Sequence, residues 1–243
     1  MPEFQNIVIL TGAGVSAESG LATFRGPDGL WEGHRVEDVC TPEALARDAA
    51  LVHRFYDERR ARLAEVRPNA AHEALARLDA EWRGELLIVT QNVDDLHERA
   101  GAGAATDAGD GAGRVLHMHG ALQSALCARC GERRPWAESL PTGRICPACA
   151  APALRPDIVF FGEIPYEMDR IERALADVDL FVSIGTSGAV YPAAGFVRTA
   201  RHHGAHTVEL NLDPSAGSFL FHESRMGAAS ELVPAFVAQL LGG

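Results

Sequence analysis

The sequence predicts an α/β protein: an open, doubly wound parallel sheet that carries a smaller inserted unit. Three observations predict it. Short apolar, β-branched runs recur along the chain and end in Gly, Asn or a polar residue, the pattern of strands buried on both faces of a parallel sheet. Stretches of helical length and periodicity lie between several of those runs, as crossovers require. Two segments, residues 31 to about 70 and 120 to 153, break the alternation.

In chain order, "NIVILTG" opens the sheet, and "ELLIVTQN", "RVLHMHG", "DIVFFGE", "DLFVSIGT" and "HTVELNL" supply its further strands. Helical patterns fall at "NAAHEALARLDAEW" and "EMDRIERALADV", and the tail "ELVPAFVAQLL" reads as an apolar helix packed on the sheet. Residues 31 to about 70 read as helices without a strand. Residues 120 to 153 are rich in Cys, Pro, Arg and Gly, with too few apolar residues for a core. The two are expected to form a small domain, one half helical and the other zinc-binding, inserted into a large domain of residues 1–30, 71–119 and 154–243. Length alone, at 243 residues, allows either two domains or one larger unit. The low-complexity stretch 101–113 reads as a surface loop, to which no function is assigned.

A net charge of -11 disfavours loose binding to nucleic acid or an anionic membrane, since the average surface repels a polyanion. The first residues lack a signal-peptide pattern, and no apolar run reaches membrane-spanning length. The expected location is the cytoplasm. Five cysteines there suit metal ligands plus one spare thiol better than disulfides. The spare one, Cys40, reads as a packed small hydrophobe.

Gly12 and Gly14 directly follow the first strand, with Ala17 three residues on. This is the G-x-G-x-x-G/A turn, whose backbone N–H groups can approach a pyrophosphate while a helix N-terminus favours its charge. A tight turn with no ligand is the plainer alternative. About 20 residues on, where an acid on a second strand would hold a ribose, the chain reads "WEGHRVED" without a strand, so a dinucleotide must be held differently here. Cys127-x2-Cys130 and Cys146-x2-Cys149, separated by 15 residues, have the spacing of a four-thiolate zinc site. Four sulfur ligands leave no open position, so such a zinc is structural.

In "HMHG", His117 and His119 share a strand face by the period of two. Either could be a general base, and both could equally be core histidines satisfied by hydrogen bonds. "TQNVDDLH" places Gln91, Asn92 and Asp94 at the strand end where α/β sheets bind ligands, although Asn92 or Asp94 could simply cap a helix. In "FYDERRARL", Tyr56 and Arg59 stand three apart and would share a helix face. A solvated Arg59 beside a core Tyr56 is the bland reading, and Arg60 is a local rival.

Taken together, "GAGVSAESG", "TFRG", "TQNVDDLH", "HMHG", the paired C-x2-C, "FFGE", "GTSGAVYPAAGF" and "ELNLD" resemble the sirtuins, NAD-dependent protein-lysine deacylases, in order and over nearly the whole chain. The resemblance implies a Rossmann-like large domain and a small domain made of a helical and a zinc module. It implies that NAD lies across residues 11–26, with Gly12, Ala13 and Gly14 at the pyrophosphate, Ser16, Glu18 and Thr23 along the same segment, and Phe24, Arg25 and Trp31 on or near a mobile cofactor loop. Asn92, Val93 and Asp94 would line a nicotinamide pocket, with Gln91 beside the ribose. Gly185, Thr186, Ser187, Asn211, Leu212, Asp213 and Ala229 would hold the adenosine half. His119, the histidine before the glycine, would be the general base. The acyl oxygen would attack the anomeric carbon and expel nicotinamide, giving finally free lysine and 2'-O-acyl-ADP-ribose.

The resemblance further implies a protein substrate bound as an extended strand between Val159, Gly162 and Glu163 on one side and Val190 and Tyr191 on the other. It is closest to the class III bacterial members, whose Tyr-x-x-Arg receives the far carboxylate of a succinyl or malonyl group. Tyr56 and Arg59 match that motif, and a guanidinium offers a carboxylate paired donors. Two other readings stay open: an NAD-dependent mono-ADP-ribosyltransferase, and a non-catalytic zinc-ribbon binding module.

Overall fold

The computed structural model describes residues 4–23, 33–103 and 113–242. The strands are β1 (Asn6–Thr11), β2 (Glu85–Thr90), β3 (Val115–His117), β4 (Gly120–Cys127), β5 (Arg133–Pro135), β6 (Leu154–Ile158), β7 (Leu180–Ile184), β8 (His206–Asn211) and β9 (Glu223–Met226). Six of them form one sheet in the order β3-β2-β1-β7-β8-β9, with every pairing parallel. The other three form an antiparallel sheet, β5-β4-β6. Counted along the large sheet alone, the order is that of a doubly wound nucleotide-binding fold, and its direction reverses between β1 and β7.

One strand lies elsewhere than expected. "DIVFFGE" was assigned to the parallel sheet, but its strand is Leu154–Ile158, antiparallel to β4. Only Asp157 and Ile158 of that run fall in it, and the apolar Val159, Phe160 and Phe161 lie in the segment that follows; β6 itself reads Leu-Arg-Pro-Asp-Ile and is buried throughout.

The helices are α1 (Gly14–Ala17), α2 (Val36–Val39), α3 (Pro42–Arg47), α4 (Ala49–Arg62), α5 (Ala70–Glu81), α6 (Leu96–Arg99), α7 (Met168–Ala176), α8 (Phe196–His202) and α9 (Ala229–Leu241). Alternation along β1 sends Ile7 and Ile9 to a core with α5 and α9, and Val8 and Leu10 to a core with α7 and α8. Each such fully buried side chain contributes roughly 1.5–3 kcal/mol. A third cluster joins Val52, Phe55, Tyr56 and Leu63 of the helical segment to Leu122, Ile158 and Phe160. Helix α4 starts where Asp48 accepts the Leu51 N–H at 2.9 Å, a cap worth about 1 kcal/mol. Among the described residues no helix is long and apolar enough to cross a membrane.

Candidate active site

The reversal between β1 and β7 opens a crevice at their carboxyl ends, where the turns after both strands meet. A Cβ on Gly14 would stand 2.7 Å from Gly185 Cα, and one on Gly185, at φ +61°, 2.5 Å from Val15 N. The Gly12 and Gly14 N–H groups donate to Ile184 O and Gly185 O, at 3.0 and 2.8 Å. These glycines therefore serve the contact between the two turns, and their N–H groups are already used. Among the described residues only the Ala13 N–H of this turn makes no hydrogen bond within the chain. The helix that follows is a single turn, so it adds little dipole to the site.

A cleft of about 790 Å³ runs from this crevice to the antiparallel sheet. It is lined by Gly12, Ala13, Gly14, Ser16, Glu18, Thr23, Gln91, Asn92, Val93, Asp94, His119, Gly185, Thr186, Ser187, Asn211, Leu212, Asp213 and Ala229. Phe24, Arg25 and Trp31 lie outside the described residues. Asn211 ties β8 to the turn after β7 through Nδ2–H to Thr186 O at 2.9 Å. Glu18 accepts both the N–H and the hydroxyl of Ser230, at 2.9 and 2.6 Å, which caps the first turn of α9 and holds the Glu18 carboxyl below its usual range.

Under the cleft floor, donors and acceptors sort themselves. Asn69 N–H donates to His72 Nδ1, so the neutral ring carries its proton on Nε2 and offers it to Ser16 Oγ at 3.3 Å. Ser16 Oγ also accepts from Asn92 Nδ2 at 3.2 Å and donates to Asp94 Oδ2 at 3.1 Å. Burial raises the Asp94 pKa. Its other oxygen accepts the Leu96 N–H, so Asp94 both steadies the start of α6 and faces the cleft. Sequence reasoning missed His72 and His97, whose buried rings stand 5.1 Å apart; only their place beside Ser16 and Thr11 marks them.

The two histidines of "HMHG" separate cleanly. His117 gives Nδ1–H to Asn92 O at 3.0 Å and places Nε2 2.7 Å from Glu98 Oε1. Burial pulls its pKa down, but the Glu98 hydrogen bond and charge outweigh it and the pKa ends raised. Both ring nitrogens are committed, which leaves no lone pair for a base. His119 gives only Nδ1–H, to Gln91 O at 3.2 Å. Nε2 is then the unprotonated, basic nitrogen, and burial lowers the pKa so that the ring stays neutral.

On the opposite wall, Arg59 lines the cleft together with Cys40, Leu122, Ile158 and Phe160. It is 8% exposed, its guanidinium 3.1 Å from the Phe55 ring centroid and its Nη1 2.5 Å from Phe55 O. Tyr56 is wholly buried one layer behind, stacked on Phe160 at 6.1 Å with its hydroxyl against the Cys40 thiol. Arg60 turns away: it donates to Leu122 O at 2.6 Å and Glu138 O at 3.2 Å and pairs with Asp57. Arg62, one turn beyond Arg59, also lines the cleft and was not foreseen.

Val159, Gly162, Glu163, Val190 and Tyr191 line the same cleft. The Val159 N–H is already given to His119 O at 2.9 Å and the Glu163 N–H to Phe160 O at 3.0 Å. A strand laid here would therefore meet the Val159 carbonyl and the Gly162 N–H. At the far end of the antiparallel sheet, all four Sγ atoms of Cys127, Cys130, Cys146 and Cys149 lie within 4.8 Å of one another. The closest pairs, Cys127–Cys149 at 3.7 Å and Cys130–Cys146 at 3.8 Å, match the edge of about 3.8 Å that a tetrahedron with zinc–sulfur bonds of about 2.3 Å requires. Backbone N–H groups of Cys130 and Arg129 directed at Cys127 lower its thiol to about 6. At Cys130 a backbone hydrogen bond from Glu132 pulls the other way, but burial and hydrogen bonds from the other cysteines push it up to about 12: four thiolates this close repel one another unless a cation joins them. The cluster fits a structural zinc.

Residues 12–192 match the model of the Sir2 family. An NAD-dependent protein deacylase of Vibrio parahaemolyticus is 52% identical over 241 residues, covering 98% of this chain and 96% of its own. One of Shewanella oneidensis is 54% identical over 243 residues, covering 99% and 96%. The crystal structure of a Sir2 homologue–NAD complex superposes with a TM-score of 0.85 at 36% identity, over 98% of this chain and 90% of that one.

Proposed function

This chain belongs to the Sir2 family, and from that premise we propose that it is an NAD-dependent protein deacylase that removes acetyl, and succinyl or related acidic acyl groups, from lysine side chains. One observation carries the reading: a single cleft joins the glycine turns of β1 and β7, the Ser16–Asn92–Asp94 cluster, a neutral His119 and a half-freed strand edge.

NAD, when bound, supplies a ribose carrying nicotinamide as its leaving group. Gly12, Ala13 and Gly14 would lie at its pyrophosphate, Gly185, Thr186, Ser187, Asn211, Leu212, Asp213 and Ala229 would hold the adenosine half, and Asn92, Val93 and Asp94 the nicotinamide. Phe24, Arg25 and Trp31, outside the described residues, would add contacts to NAD. His119 Nε2 would take a proton from a ribose hydroxyl while Gln91 O keeps the ring's other proton fixed. The products would be free lysine, nicotinamide and 2'-O-acyl-ADP-ribose. Arg59 would meet the carboxylate of an acidic acyl group, with Tyr56 supporting it from behind. The place of Arg59 on the cleft wall beside Cys40, Leu122 and Phe160, with a guanidinium's paired donors, supports that role.

The same reading divides the chain into a large domain of residues 1–30, 71–119 and 154–243 and a small one of 31–70 and 120–153. Its substrate is an acylated protein segment laid as a strand against Val159 and Gly162. The enzyme works in the cytoplasm, where reducing conditions keep the four cysteines from forming disulfides. The test is the mass of an acyl-lysine peptide incubated with NAD and the protein. Loss of the acyl mass with release of nicotinamide supports deacylation; a gain of one ADP-ribose unit indicates the transferase instead, and no change sinks both.

A further inference from the structure

We propose that the ion pair between buried Arg155 and half-buried Glu163 is a positioning device for the substrate strand, an inference that rests on the deacylase reading above. Arg155 belongs to β6 and is 8% exposed. Its Nη2 lies 2.7 Å from Glu163 Oε1 and 3.0 Å from Oε2, and its guanidinium is 4.6 Å from the Phe160 ring centroid. Glu163 Oε2 also accepts the Phe160 N–H at 2.8 Å. The same carboxylate therefore closes the turn Phe160–Glu163 from inside, while Glu163 N–H to Phe160 O closes it along the backbone.

The turn is pinned at two further points. Val159 N–H reaches His119 O, and Phe161 N–H reaches Cys40 O at 3.0 Å. Val159 O lies between these pins and Gly162 N–H directly after the second, and these are the two groups that a substrate strand would meet. Gly162 sits at φ +89° with open space where a Cβ would be, and the turn around it is held by the Glu163 carboxylate on one side and the Cys40 carbonyl on the other. A buried ion pair is a weak stabiliser, because desolvation roughly offsets the attraction. What this pair supplies is geometry: the spacing between the strand edge and the base that the same segment holds through His119 O.

The experiment measures the KM for an acyl-lysine peptide, kcat, the dissociation constant of ADP-ribose and Tm in wild type, Arg155→Lys and Arg155→Met. Losing a charge-assisted contact should raise the peptide KM of Arg155→Met about tenfold or more, with Arg155→Lys between it and wild type. Binding of ADP-ribose, which does not touch the turn, should stay within about twofold. An unmoved peptide KM, or a loss of ADP-ribose binding in step with peptide binding, overturns the proposal. If Arg155→Met does not fold, Glu163→Gln decides by the same criteria, since it keeps the volume and the acceptor for Phe160 N–H. A wild type that deacylates nothing would instead defeat the deacylase reading, an outcome visible before any variant is made.

Discussion

Replacing Arg59 with methionine should remove activity on acidic acyl groups and spare acetyl. The side chain is 8% exposed, and its charge sits over Phe55 at the cleft wall. A carboxylate arriving there would form a charge-assisted pair in a partly desolvated site, worth about 1.5–3 kcal/mol. At about 1.4 kcal/mol per factor of ten, kcat/KM for a succinyl peptide should fall between roughly tenfold and a hundredfold. The same peptide carrying acetyl has no carboxylate to lose, so its kcat/KM should change by less than about threefold. Methionine keeps much of the stem volume, and the lost hydrogen bond to Phe55 O should cost about 1 kcal/mol of stability. The control is Arg60→Met: that guanidinium is spent on Leu122 O, Glu138 O and Asp57, so its loss should lower Tm and leave the succinyl-to-acetyl ratio alone. A parallel fall on both acyl groups in Arg59→Met would refute the argument, as would no fall on either.

His119 acts in its neutral form, and burial lowers its pKa; the acid limb of kcat/KM should therefore lie below the ordinary imidazole value near pH 6.5, and a limb above pH 7 would contradict this. His72 titrates at about 4 in the fold because burial disfavours its charge. The unfolded chain binds that proton from about pH 6.5 downward, so stability should fall as pH drops from there toward 4, by about 3 kcal/mol at full extent. A Tm that holds constant across that window would count against a neutral buried His72. Metal analysis should find one zinc per chain, removable by a strong chelator with loss of the antiparallel sheet. Tetrahedral cobalt(II) should restore activity because no ligand position is open to substrate, and an active metal-free protein would exclude the structural zinc.

Much of this was legible in the sequence, for reasons that particular elements make plain. Strands β1, β2, β7 and β8 are buried on both faces, so β1 and β2 read as apolar runs and β7 and β8 as apolar runs interrupted by Ser183 and Glu209. The apolar signal misled at "DIVFFGE", because most of that run lies past the end of β6, whose own residues Leu154–Ile158 include Arg155, Pro156 and Asp157. Strands β5 and β9, "RRP" and "ESRM", lie at sheet edges and carry polar residues, and no apolar pattern marks them. The four cysteines were readable because zinc geometry demands their spacing, and the Sγ distances agree. The choice between Arg59 and Arg60 depends on the rotation of α4 against β4, which helical spacing alone does not set. The glycines of β1 were identified for a pyrophosphate, yet packing against Gly185 already requires them. His117 and His119 stand on one face in sequence, and only their partners, Glu98 for one and a lone carbonyl for the other, tell the base from the bystander.

The measurement that tests the central claim most directly counts lysine freed and nicotinamide released from one acyl-lysine peptide with NAD, in wild type and in His119→Ala. The account predicts one nicotinamide per lysine freed in wild type, and loss of lysine release in the variant while ADP-ribose binding persists. Full lysine release by His119→Ala, or release by wild type without NAD, would contradict it.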